Sequence, residues 1–258
     1  MDPSRDTGNF KERFDRDGYV WPVPILEPHE VLRYRAAYDR LEADAAARGQ
    51  KARPTNLHHQ SPEVWELATH PRVLGAIESI VGPDVVLISS GFFAKQPRSD
   101  DQFVAWHQDT TYWGLEPPFA LTVWIAIDDS DIANGCMRVI PATHRRGLLP
   151  HAKSDRPGNL LAHNQAIEPG HVDESKAVDF VLKAGWASIH HGELVHGSNP
   201  NRSTRRRCGM TVRFTTPNVR PVKSGPFAFS DRPVLIRGAD RLGHFDYAPM
   251  PAFVSQGS

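Results

Sequence analysis

FALTVWIAID, residues 119 to 128, sets Leu121, Val123, Ile125 and Ile127 against Thr122, Trp124 and Ala126. Alternation with a period of two is the mark of a β-strand. Upstream, VVLISSGFFAK (85 to 95) is β-branched and aromatic, and it reads as a second strand. WASIHH (186 to 191) and GMTVRFTT (209 to 216) read as two more. Short strands divided by Pro, Gly and Asn turns predict a mainly β core, either a sandwich or a barrel.

Outward from that core the pattern changes. Residues before about 84 read mainly helical, after a short extended piece from Gly18 to Val23. Pro28-His29-Glu30 opens a helix to about Ala47, with Leu32, Tyr34, Ala37, Tyr38 and Leu41 at helical spacing, and Gly49 ends it. Two shorter helices are predicted near Pro62 to Ala68 and Pro71 to Ile80, the second stopped at Val81-Gly82-Pro83. The polar stretch from 145 to 178 is too long for a hairpin loop, and reads either as a lid or as a surface loop. A chain of 258 residues, 40% hydrophobic, suits one domain. Its expected parts are a helical region to about 83, a β core from about 84 to 220 and a tail from about 221 to 258.

Lys plus Arg and Asp plus Glu are both 30, so no net field draws the chain to nucleic acid or an anionic membrane. The polar start, MDPSRDTGNFKERFDRDG, lacks the form of a signal peptide, and no apolar run is long enough to span a bilayer. The two cysteines, Cys136 and Cys208, form no CxxC pair. They suit packing in a reduced, cytoplasmic protein rather than a disulfide scaffold or thiolate zinc site. Oligomeric state is not legible.

The chemistry centres on WHQDTTYW, 106 to 113. On a strand, His107 and Asp109 would share one face and offer a two-point grip on a divalent metal. His196, in LVHGSNPNRS, supplies a third ligand, with His190 and His191 as competitors for that role. Two histidines and a carboxylate on one face leave open positions, the facial triad of non-haem iron(II) oxygenases. Arg207 follows His196 after a turn rich in Asn and Pro. A guanidinium grips a carboxylate in two-point fashion. If His196 ends one strand and Arg207 begins its neighbour, the metal takes the keto-acid end of a co-substrate and Arg207 its far carboxylate. Ser198, two residues from His196, adds a hydrogen bond. Arg205 and Arg206 stand beside Arg207 as rivals for the anchor role after a slip in register, although alternation puts Arg206 on the opposite face from Arg207, in solvent.

FFAKQP, WHQD, VWIAIDDSDIANGCMRVIPATHRRG and HGSNPNRSTRRR together resemble the phytanoyl-CoA dioxygenase family, which includes bacterial hydroxylases. The resemblance implies a double-stranded β-helix, the cupin-like jelly-roll barrel. It implies iron(II) held by His107, Asp109 and His196, with 2-oxoglutarate and O2 as co-substrates. Arg207 becomes the 2-oxoglutarate anchor, Ser198 its helper and Trp124 a wall of that pocket. The reaction implied is hydroxylation of an unactivated C–H bond in a small metabolite or natural-product intermediate, with release of succinate and CO2. Desaturation, cyclisation or epoxidation use the same iron site. Asp109 favours hydroxylation over halogenation, since related halogenases have a small residue there. Lys95 recurs in the family and reads as an exposed lysine. Asn134, Gly135, Arg138, Thr143 and His144 read as turn and scaffold, and Phe93, Tyr112 and Trp113 as possible substrate-site walls. Two rivals of other classes are a cupin-like metal enzyme without oxygen chemistry, which needs no Arg207, and a non-catalytic binding protein on the same scaffold.

Overall fold

The structure, a computed structural model, describes residues 9–49, 55–225 and 227–255. The first eight residues of the polar start lie outside them. Helix α1 (Phe10–Asp17) and strand β1 (Tyr19–Pro24) come first, then helices α2 (Pro28–Ala47), α3 (Pro62–Ala68) and α4 (Pro71–Val81). Next are strands β2 (Val85–Lys95), β3 (Val104–His107), β4 (Leu115–Glu116), β5 (Leu121–Ala126), β6 (Met137–Val139), β7 (His151–Lys153), β8 (Gln165–Ile167) and β9 (Val178–Phe180). The chain ends with β10 (Trp186–His191), β11 (His196–Ser198), β12 (Arg207–Thr215), β13 (Arg220–Pro221), β14 (Val234–Arg237) and the short α5 (Ala252–Ser255).

Two antiparallel sheets carry the architecture. The larger runs β1-β10-β5-β12-β2-β14 and the smaller β3-β11-β6-β9. The protein is thus mostly β with flanking helices. Strands β2 and β10 keep the limits expected from sequence, and β12 begins two residues earlier, at Arg207.

Alternation in the large sheet separates two environments. Leu121, Val123 and Ile125 of β5, Ala187 and Ile189 of β10, and Met210, Val212 and Phe214 of β12 point into one apolar core. Phe10, Phe14, Tyr38, Leu67, Ile77 and Ile80 of the helices close that core. Thr122, Trp124, His190, Arg207, Thr211 and Arg213 occupy the opposite face and line a cavity. The helices form because their termini are chemically marked. Pro28 opens α2 behind a capping box in which Glu30 Oε2 accepts from the Glu27 N–H at 2.8 Å. Val31, Tyr34, Ala37 and Tyr38 make its buried face, while Leu32 is 64% exposed, contrary to its expected inward role. Leu32 lies one position off the stripe that faces the sheet.

Residues 145 to 178 are neither a bare loop nor a detached flap. They hold the β7-β8 pair, and Leu161 from this stretch reaches the cavity.

Candidate metal centre and its cavity

The site is built where the small sheet faces the large one. In the β3–β11 ladder, His107 stands directly opposite His196, and their ring centroids are 4.0 Å apart. Asp109 is not on that strand. β3 stops at His107, and Asp109 begins a 3-10 turn to Tyr112. The shared-strand-face argument therefore fails for this pair, although the carboxylate still lies beside the imidazole. Gln108 explains how. Its buried amide donates to the carbonyls of Gly147 (2.9 Å) and Glu193 (2.7 Å) and accepts from the Leu149 N–H, which pins the corner between the two.

One Asp109 oxygen lies 3.5 Å from His107 Nε2 and 4.0 Å from His196 Nε2. One donor atom from each of the three residues falls within 4.8 Å of the others. Thr122 donates to the other carboxylate oxygen at 2.9 Å. Each histidine points Nδ1 at backbone carbonyls: His107 at Ala105 (2.9 Å) and His196 (3.0 Å), His196 at Leu194 (2.8 Å). With the proton on Nδ1, both Nε2 lone pairs are free for a metal, which is the usual way a ligating imidazole is oriented. Burial, with the neighbouring imidazoles of His107 and His190, holds His196 well below its usual range and therefore neutral. Burial opposes the Asp109 charge. The imidazoles of His107, His190 and His196 and the Arg213 guanidinium outweigh it and hold the carboxyl well below its usual range. Two imidazoles and an ionised carboxylate, without thiolate, suit a first-row divalent metal such as iron(II).

Of the competing histidines, His191 turns away, accepting the Glu193 N–H and packing on Phe14 and Phe119. His190 comes close, with Nε2 at 3.6 Å from the outer Asp109 oxygen, but it falls outside the three-residue donor group.

Beyond the triad, the cavity is walled by Trp124, Ser198 and Arg207. The Arg207 guanidinium lies over the Trp124 indole, 4.3 Å from its centroid. Gly209 makes room for this, since any side chain there would collide with the indole. Arg207 is 3% exposed, and its Nε donates to Ser130 Oγ at 3.4 Å. Burial lowers it to about 10. His196 and Arg207 are not on neighbouring strands, as the turn between them suggested. β11 belongs to the small sheet and β12 to the large one, so the two residues meet across the cavity. Arg206 is also not in solvent. It binds Asp39, Glu42 and Asp128 and covers Tyr38.

Lys95 is another residue that sequence reasoning placed wrongly. It is fully buried opposite Arg207 in the β2–β12 ladder. Its Nζ donates to Ser198 Oγ at 2.6 Å and to the Asn199 carbonyl. Burial, and then the Arg207 charge, push it down to about 6. The available signal was its place at the end of a strand buried on both faces. The expected scaffold residues act as such. Thr143 accepts the Val195 N–H, next to His196, and Asn201 ties the turn to Gln96 and Arg205.

The chain belongs to the phytanoyl-CoA dioxygenase family, whose model matches residues 14–209. It is a dioxygenase of the iron(II)- and 2-oxoglutarate-dependent kind. It is 27% identical over 263 residues to the L-proline trans-4-hydroxylase of Streptomyces griseoviridis, covering 90% of this chain and 96% of that one. The ectoine dioxygenase of Nocardia farcinica is 27% identical over 254 residues, covering 88% and 83%. Of the bovine peroxisomal phytanoyl-CoA dioxygenase, the chain spans about half the length, 48%. Among solved structures, the apo non-heme monooxygenase ThoJ superposes with a TM-score of 0.79 at 32% identity, covering 94% of this chain and 88% of that one. Family membership sets aside both rivals from other classes. No described helix is long and apolar enough to cross a membrane.

Proposed function

We propose that His107, Asp109 and His196 hold the iron, and that the enzyme hydroxylates an unactivated C–H bond of a small metabolite or natural-product intermediate, releasing succinate and CO2. The observation that carries this reading is the cavity itself. It joins a two-imidazole, one-carboxylate donor set to Arg207, a buried arginine with no carboxylate partner among the described residues.

Iron(II) supplies the activation of O2, coupled to oxidative decarboxylation of the keto acid. The chain's own residues do the rest. Arg207 binds the far carboxylate of 2-oxoglutarate in a two-point grip. Ser198, with its hydroxyl bonded to Lys95, supports the same carboxylate. Trp124 holds the guanidinium flat and shuts water out of that end. Thr122 fixes the second oxygen of Asp109, so that the first faces the metal. The named activities of the proline hydroxylase and of the ThoJ monooxygenase support hydroxylation as the outcome. The two facing sheets are read as a jelly-roll barrel within one domain, and the two buried free thiols as those of a cytoplasmic protein.

The test is anaerobic. Iron(II) and then 2-oxoglutarate are added to metal-free protein while the visible spectrum is recorded. A weak violet-to-lilac band that needs both additions, and that disappears in Asp109→Ala and His196→Ala, is the expected outcome. A folded, iron-loaded protein that gives no band would sink the proposal.

A further inference from the structure

Arg207 is not the only arginine that faces the cavity without a carboxylate. On β12, Arg207, Gly209, Thr211 and Arg213 share one face, and Arg213 stands opposite Thr122, the residue that bonds the Asp109 carboxylate. Arg213 lines the cavity of the metal ligands and also a second, adjoining cavity. Ser89, Tyr112, Trp113, Leu161 and His163 wall that second space.

The guanidinium is poorly satisfied. Its Nε is shut from solvent and has no hydrogen-bond partner. Its Nη1 reaches Ser89 Oγ only at 3.5 Å, and the group lies 5.0 Å from the centre of the Trp113 ring. No carboxylate stands within ion-pair distance among the described residues; Asp109, whose charged form the guanidinium favours from across the cavity, lies beyond it. Arg35, Arg138, Arg205, Arg206 and Arg220, by contrast, each have one. A partly buried cation left unpaired is costly, and costlier still when a donor goes unused. A planar fork held against an indole, with a hydroxyl nearby, is suited to two-point recognition of an oxyanion.

We propose that Arg213 receives a carboxylate or phosphonate of the substrate, so that the enzyme acts on an organic acid whose apolar body rests on Phe93, Tyr112 and Trp113. This deepens the reading above and rests on it, because the co-substrate already has its own cation. Arg213 and Arg207 stand six residues apart on the strand, so their Cα atoms are about 20 Å apart at the usual rise. One face of one strand thus presents two cations, one for each of two different anions, to the cavity that the metal ligands also line.

The experiment uses full-length protein loaded anaerobically with iron(II) and 2-oxoglutarate. It is titrated with 3-phenylpropanoate, indole-3-acetate and benzylphosphonate, and with the matching primary amides and the phosphonate dimethyl ester. Binding is read from perturbation of the visible band and, separately, from the melting temperature of the metal-free protein. The acids are expected to shift the band without bleaching it, and the neutral forms to do nothing. Arg213→Gln should weaken the acids by about 10- to 100-fold, with Arg213→Lys in between. The stronger of the carboxylates and the phosphonate identifies the preferred oxyanion. The idea is overturned if no acid binds, if neutral forms bind as well as acids, or if Arg213→Gln binds acids as tightly as the wild type. Bleaching of the band would also overturn it, since that marks competition at Arg207. Absence of the band before any acid is added counts against the iron and 2-oxoglutarate reading instead, and the melting-temperature arm then still decides the role of Arg213.

Discussion

Arg206 and Arg207 are neighbours in sequence and opposites in circumstance. Arg206 points toward α2 and has Asp39 at 2.7 Å, Asp128 at 2.8 Å and Glu42 at 3.0 Å. Arg207 points into the cavity and has Ser130 at 3.4 Å. Burial acts against the charge of both. Around Arg206 the bonds to Asp128 and Asp39 override it and raise the group, whereas around Arg207 burial prevails and lowers it to about 10. A cation surrounded by the protein's own carboxylates is part of the scaffold. A buried cation without them is a place where the fold stays incomplete until an anion arrives.

The comparison is broken or sharpened by three measurements. The largest effect belongs to Arg207→Ala, which should raise the KM for 2-oxoglutarate by about 10- to 100-fold, the equivalent of losing a charged hydrogen-bonded contact. Its melting temperature should not fall, because the removed charge was uncompensated. A variant that melts early and keeps its KM would reverse the contrast. Next comes Arg206→Ala. Denaturant titration should show a loss of about 1–3 kcal/mol, since three carboxylates lose their shared partner in a half-buried place, while the KM for 2-oxoglutarate stays put. The smallest effect, taken per pH unit, concerns Lys95, opposite Arg207. Its folded value, about 6, lies below its ordinary 10.5. Between those two values the unfolded chain carries a proton there that the folded one does not, so folding gains stability as pH rises. Relative to Lys95→Met, the wild type should gain about 1 kcal/mol per pH unit above pH 6. Parallel pH–stability curves for the two proteins would mean that Lys95 stays charged in the fold.

The pattern of residues 119 to 128 announced β5 because one of its faces meets the helical core and the other the cavity. Strand β2 was legible for a similar reason, and the α2 start because Pro28 and Glu30 act locally. The same alternation put Arg206 and Arg207 on opposite faces. Alternation says nothing about what waits on each face, however, so Arg206 was assigned to water and Lys95 to the surface. The partition of strands between sheets was also out of reach. His196 and Arg207 are joined by a short turn, yet β11 and β12 pair with strands distant in sequence. Asp109 came to the right neighbourhood by a different route from the one its spacing suggested, through a turn fixed by Gln108. Arg213 drew no attention as a cavity residue because nothing in its flanking sequence distinguishes it from an ordinary strand residue, whereas His190, weighed as a rival third ligand, lines the cavity without joining the donor group.

The pairing of His107 with His196 has an evolutionary consequence. The two imidazoles are cross-strand partners, and His107 is steered by the backbone carbonyl of His196. Their alignment depends on main-chain register, which asks for a close fit within the ladder itself, as at Gly197, where a Cβ would press on the Val104 carbonyl. A lineage that keeps this ladder is free to rewrite the surrounding walls and explore new substrates, without having to reinvent its metal centre each time.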